Sequence, residues 1–335
     1  MNKKTVLFLI VSFLCFAIFF VVALMVGKYS IPIGDFFQAV FTNDEAFATQ
    51  RSVILNLRLP RTIVAGLSGI ALSVSGLLYQ EIFRNKLTSP DLLGVSSGAA
   101  VGASLAIILG LGSAFVSIFA FIAGVGTVLL TLLLAKLFRN GSSITLVLAG
   151  IIVGGFMSAL LSIIKFLADP MTTLASITYW LMGSFENSTV NSVWILLPVV
   201  VVCCGVLVTL SWRINIVAMG REQAQTKGIN YNVYRILIIG IATLLTATAV
   251  SFSGTIGWIG LVIPHVVRTL FGRDTRRTIP LCITFGGVFM IMVDIFSRSF
   301  TNQEIPLSAV TGVIGTIIFV VILIAKRREL NAYKD

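Results

Sequence analysis

Ten apolar runs, each bounded by charges or turn-forming residues, occupy most of this sequence: 6–26, 63–83, 95–111, 115–137, 144–167, 193–210, 233–252, 256–271, 279–297 and 309–325. At 1.5 Å rise per residue, a helix needs about 20 such residues to cross a hydrocarbon core roughly 30 Å thick. The third, eighth and tenth runs are the short ones. Composition closes the alternative of a soluble fold. Of 335 residues, 57% are hydrophobic and only 11% charged, with a mean hydropathy of +1.02, whereas a soluble domain carries about a quarter charged residues. The expected fold is an all-α polytopic membrane protein of about ten transmembrane helices, with residues 1–335 forming one membrane domain.

Ten spans put both termini on one side, and the basic residues decide which. The net charge is +11, from 24 Lys and Arg against 13 Asp and Glu. With the amino terminus inside, 18 basic residues fall on the inner side. Six fall outside: Lys28, Arg51, Arg58, Arg61, Lys165 and Arg298. Cytoplasmic segments of membrane proteins collect Lys and Arg, so both termini are placed in the cytoplasm. The start Met1-Asn2-Lys3-Lys4 also resembles the charged end of a signal peptide. The apolar run behind it is too long for a typical signal core, and no cleavage-type segment precedes Lys28, so it is read as a retained first helix.

Several chemistries are disfavoured. The single histidine, His265, follows Pro264 within an apolar run and reads as a packing residue. Cys15, Cys203, Cys204 and Cys282 also lie in apolar runs, without the spacings of a zinc site or a disulfide framework. Glu81, Lys165, Asp294 and Arg298 all fall within about two turns of a span end. A carrier coupled to protons or sodium ordinarily keeps ionisable groups deeper, so an ATP-independent secondary carrier is the second reading. No span pairs two acids or a nucleophile with its base, and no G-x-x-x-x-G-K-[ST] phosphate loop occurs. If ATP drives this chain, another polypeptide binds it. The small residues Gly66, Gly69, Ser73, Ser75 and Gly76, and Gly150, Gly154, Gly155 and Ser158, read mainly as close helix packing. A smooth passage for a bulky solute is the other reading of the same pattern.

Four stretches go beyond composition: Leu57-Arg58-Leu59-Pro60-Arg61-Thr62; Asn85-Lys86-Leu87-Thr88-Ser89-Pro90-Asp91-Leu92-Leu93-Gly94-Val95-Ser96-Ser97-Gly98; Gly254-Thr255-Ile256-Gly257-Trp258-Ile259-Gly260-Leu261-Val262-Ile263-Pro264-His265; and Asp294-Ile295-Phe296-Ser297-Arg298, followed by Glu304-Ile305-Pro306. In this order they resemble the FecCD-type permeases of ATP-binding-cassette (ABC) importers for iron–siderophores, haem and vitamin B12. The resemblance runs from about residue 30 to residue 328. It implies two permease subunits, identical or paralogous, with the translocation path along their shared interface. Beneath them it implies two cytoplasmic ATPase subunits, and outside an external solute-binding protein, which delivers the cargo.

The resemblance also implies residue roles. Arg58, Arg61 and Arg298 sit at motif positions whose arginines meet acidic residues of the binding protein, a task suited to a planar, permanently charged guanidinium. Headgroup anchoring is the plainer role for the same residues. The inner segment 211–233 contains Gly220-Arg221-Glu222-Gln223-Ala224-Gln225-Thr226-Lys227-Gly228, similar to the E-A-A-x-x-x-G coupling segment of ABC importers. Glu222, Ala224 and Gly228 match, while Gln223 replaces the first alanine. Ser142 and Ser143 fall where the family narrows its cytoplasmic exit, and equally suit a helix cap. The polar segment 169–191, with Tyr179 and Trp180, resembles a short outer helix and is assigned no ligand contact. The expectation is therefore a multi-pass permease of the bacterial cell membrane, not itself an enzyme and holding no cofactor or metal. Its leading cargo is an iron(III)–siderophore, with vitamin B12, haem or molybdate as alternatives.

Overall fold

The computed structural model describes residues 3–42, 44–138 and 143–332, and all regular structure among them is helical. Each of the ten apolar runs is a helix. In chain order the spans are α1 (Lys3–Met25), α4 (Leu59–Ile82), α5 (Val95–Ile108), α6 (Ser113–Leu137), α7 (Ser143–Leu167), α9 (Val190–Met219), α11 (Tyr231–Ser253), α12 (Ile259–Phe271), α13 (Thr275–Ser299) and α14 (Leu307–Ala332). Seven contain long apolar stretches sufficient to cross a bilayer, and α5, α12 and the apolar part of α14 are shorter. The remaining helices are the outer pieces α2 (Ile33–Phe41), α3 (Ala48–Ser52) and α8 (Thr173–Met182) and the inner piece α10 (Arg221–Thr226).

Of the boundaries that differ from the sequence reading, three have a clear local reason. The sixth span, α9, continues nine residues past Leu210 because Ile214, Ile216 and Val217 are buried at its inner end. The eighth begins at Ile259, since Gly254 and Trp258 both have φ of +70° and break the helix ahead of it. The second begins at Leu59, with Pro60 in its first turn, where the missing N–H costs nothing. A widened turn of π type, Val53–Arg58, leads directly into it.

Helix α4 is the axis of the fold. It packs against α13, α11, α9 and α12, and 89% of the apolar window in its helical stretch is buried, against 11% for α1. Small residues let the backbones meet. A Cβ on Gly76 would lie 1.8 Å from the Gly260 carbonyl oxygen of α12, and one on Gly69 would lie 2.2 Å from that of Gly286 on α13. Ser73 Oγ donates to the Cys282 carbonyl across the same crossing at 2.8 Å. The packing reading therefore holds for the small residues of α4, as expected where lipid supplies no hydrophobic drive between helices. On α7 it holds only for Gly150, which abuts the Leu92 carbonyl. Gly155 has nothing within 4 Å of a Cβ, and Ser158 is exposed. His265 is buried with its ring 5.4 Å from that of Phe319 on α14.

Candidate functional site: an outer arginine cluster and an inner coupling segment

The three outer arginines converge, although Arg61 and Asp294 are 233 residues apart in sequence. Arg61, near the start of α4, donates from Nε to Asp294 Oδ1 at 2.9 Å. It also grips Glu304 with both terminal nitrogens, Nη1 to Oε1 at 2.6 Å and Nη2 to Oε2 at 2.9 Å. Asp294 is fully buried on α13, and Arg298, one turn later, approaches its Oδ2 at 3.3 Å. Arg298 also donates to the Ala23 carbonyl, while Arg58 donates to the carbonyls of Leu24 at 2.9 Å, Met25 at 2.7 Å and Tyr29. The last carbonyls of a helix lack partners within it and carry the negative end of its dipole. Two guanidiniums therefore cap α1, and a third holds the acidic pair.

All three arginines are held within the chain rather than standing free. Arg58, Arg61 and Arg298 are 5%, 8% and 5% exposed, and each has acceptors within its own chain. The physical reason is Asp294. A carboxylate in a site of low polarity is strongly disfavoured unless it is paired, and two arginines supply the pairing. An acidic group arriving from outside would have to exchange with Glu304 for Arg61.

At the inner end, α10 is a single short helix between two glycines. Gly220 caps its start with φ of +110°, and Gly228 follows its end with φ of +71°. Glu222, Gln223, Gln225 and Lys227 face outward, but Ala224 is fully buried. Its small side chain thus seats α10 on the body of the chain itself. Gly228 is exposed with open space around it, so it is its backbone conformation that calls for glycine. The Ile229 N–H returns to the Ala224 carbonyl at 2.9 Å and closes the helix end.

Arg84 was not singled out by sequence, where it reads as one of many inner basic residues. It lies just past α4 with φ of +51°, and its Nε donates to the Ala218 carbonyl at 3.2 Å. A Cβ on Gly220 would sit 1.4 Å from Arg84 Nη2. The central helix thus reaches the root of α10 through Arg84, and the φ of +110° at Gly220 is what favours glycine there. Of the two gate candidates, Ser143 is the first residue of α7, and Ser142 lies outside the described residues. On the outer side, α8 and the ends of α5, α6 and α11 enclose a cavity of about 550 Å³. Its polar lining includes Ser113, Ser117, Ser176, Tyr179, Trp180 and Asn187. The Tyr179–Trp180 pair, given no ligand contact on sequence grounds, lines this space.

Comparisons with known proteins bear on the chain as a whole. The FecCD transport family model matches residues 15–325. The chain is 37% identical to the molybdate import system permease protein MolB of Haemophilus influenzae, over 92% of each chain. It is 36% identical to an iron chelatin transport system permease protein of Helicobacter pylori, over 86% of this chain and 87% of that one. A solved metal-chelate-type ABC transporter in an inward-facing conformation superposes with a TM-score of 0.86 at 34% identity, covering 95% of this chain and 99% of the other.

Two outcomes follow. Asp294→Asn leaves the buried Arg298 guanidinium without its carboxylate, Arg61 keeping Glu304, and breaking such a buried pair costs about 3–5 kcal/mol. The thermal midpoint of the purified protein should fall accordingly, and an unchanged midpoint would contradict the assigned pairing. Gly220→Ala forces a conformation disfavoured by about 1–3 kcal/mol and displaces Arg84. In a reconstituted complex, the cargo carried per ATP hydrolysed should drop severalfold, and an unaltered ratio would count against a coupling role.

Proposed function

The chain belongs to the FecCD transport family of ABC importer permease subunits, multi-pass proteins of the cell membrane, and from that premise we propose that its cargo is a metal chelate, an iron(III)–siderophore first. The observation that carries this reading is the fit over nearly the whole chain to a metal-chelate-type transporter, together with the iron chelatin relative. Permease subunits of this family are not themselves catalytic. A binding protein, a second permease and ATPases are the partners that the family implies.

We place residues 1–335 in one permease domain, with ATPase coupling in segment 211–233. Glu222 is offered outward there, Ala224 anchors α10, and Gly228 ends it. Energy then passes between the ATPases and α4 through Gly220 and Arg84. On α7, Gly154, Gly155 and Ser158 form a small-sided face that the chain's own atoms leave largely open, which suits a passage shared with a second permease. Ser143 at the inner start of α7 is the gate position, with Ser142 beside it in sequence. At the outer end, Arg58, Arg61 and Arg298 set the docking site of the binding protein, whose carboxylate competes with Glu304 for Arg61. Molybdate is the second cargo reading, favoured by the 37% identical relative.

The test is ATP hydrolysis by the permease assembled with its ATPase and binding protein, stimulated in turn by iron(III)–siderophores, haem, cobalamin and molybdate. Stimulation by siderophores alone is expected, and stimulation by molybdate alone would replace the first reading with the second. In the same assay, Glu304→Gln frees Arg61 and should lower the binding-protein concentration that gives half-maximal stimulation. An unchanged concentration would remove Arg61 from docking.

A further inference from the structure

Beneath the Arg84 contact, the inner ends of α4, α9 and α12 enclose a second cavity, of about 480 Å³. Its charged lining is Arg84, Lys86, Arg268 and Arg273 with a single carboxylate, Glu81. That carboxylate is committed: Arg268 Nη2 lies 3.0 Å from Glu81 Oε1. The same guanidinium also donates to Gln80 Oε1 at 2.7 Å and to the Leu77 carbonyl at 3.1 Å. The next carboxylate, Asp274, caps α13 and accepts from Asn215 Nδ2 at 2.7 Å. In the floor of the cavity Arg268 is thus matched by Glu81, and its rim carries two further arginines, Arg84 and Arg273. Arg84 and Arg273 are exposed, and the charge of Arg273 acts on Glu81 without a direct hydrogen bond to it.

Like charges gathered at the edge of a low-dielectric region repel unless an anion joins them. Guanidiniums present paired N–H donors that match phosphate oxygens. The cavity is far larger than a lone tetrahedral oxyanion and falls within the range of small-molecule pockets, so a phosphate borne on a larger group also fits. We propose that this cavity is a binding site for a phosphate-class oxyanion, held by Arg84 and Arg273, directly beside the root of α10. An anion there draws on the same Arg84 guanidinium that lies over Gly220. Its occupancy therefore bears on how α4 is tied to α10, a consequence that rests on the coupling role of α10. The binding itself does not rest on that role, so failure of one leaves the other standing.

The source is either a headgroup of the inner leaflet or free phosphate, and the test separates them. The full-length permease is titrated with inorganic phosphate in detergent at constant ionic strength, with chloride as the reference, and its thermal midpoint is followed. In parallel it is placed in nanodiscs of phosphatidylglycerol or phosphatidylcholine, and retained lipid is read by native mass spectrometry. Saturable stabilisation by phosphate identifies a free anion, and selective retention of phosphatidylglycerol identifies a headgroup. Either effect should weaken at least about tenfold in Arg84→Gln/Arg273→Gln, given that each lost charge-assisted contact is worth about 1.5–3 kcal/mol. It should persist in Arg277→Gln, which removes an inner charge outside the cavity. The single variant Arg273→Gln, at an exposed loop position, gives the same reading if the double variant does not fold. No saturable effect of either probe, or an effect that survives in Arg273→Gln, would overturn the proposal.

Discussion

The buried charge of Asp294 is the constraint around which the outer half of this molecule is arranged. A carboxylate with no exposure is costly to bury without partners, and its partners come from separate parts of the chain: Arg61 from α4 and Arg298 from its own helix α13. Each guanidinium then reaches further, Arg61 to Glu304 in the loop before α14 and Arg298 to the end of α1. Arg58 completes the cap on α1. One acidic residue thereby positions four segments that hydrophobic packing alone, in lipid, would leave free to slide. Such pairs specify an arrangement more than they stabilise it, since desolvation offsets much of the attraction.

Helix α4 carries this order through the membrane. Its outer end is held by ionic contacts, its middle by backbone approaches at Gly69 and Gly76, and its inner end by Arg84 over Gly220. A shift at either face therefore has a rigid, continuous element along which to travel. This suits a permease whose binding protein and ATPases act on opposite sides, because each can bias the same two-state equilibrium from its own end.

The ten helices were legible in the sequence because span length and charge distribution are local signals. Their ends were less so, and α9 outran its apolar run because burial at Ile214 and Val217 continued where hydropathy fell. The arginines of the outer motif were legible as a group, but their direction was not. Nothing in the spacing of Arg61 and Asp294 announces an ion pair, and residues beside an outer mouth can equally face a partner. Ala224 shows the same limit, since small size permits close packing on either side of a helix and only the fold decides which. Arg84 was hidden by the very bias that set the topology, being one basic residue among 18 on the inner side.

That this chain moves its cargo on energy supplied by another subunit is tested by uptake into proteoliposomes containing the permease, its ATPase and its binding protein, with ion gradients dissipated by ionophores. Uptake that requires ATP inside the ATPase compartment and continues without proton or sodium gradients is the predicted result. Uptake that proceeds without ATP and collapses with the gradients would contradict it.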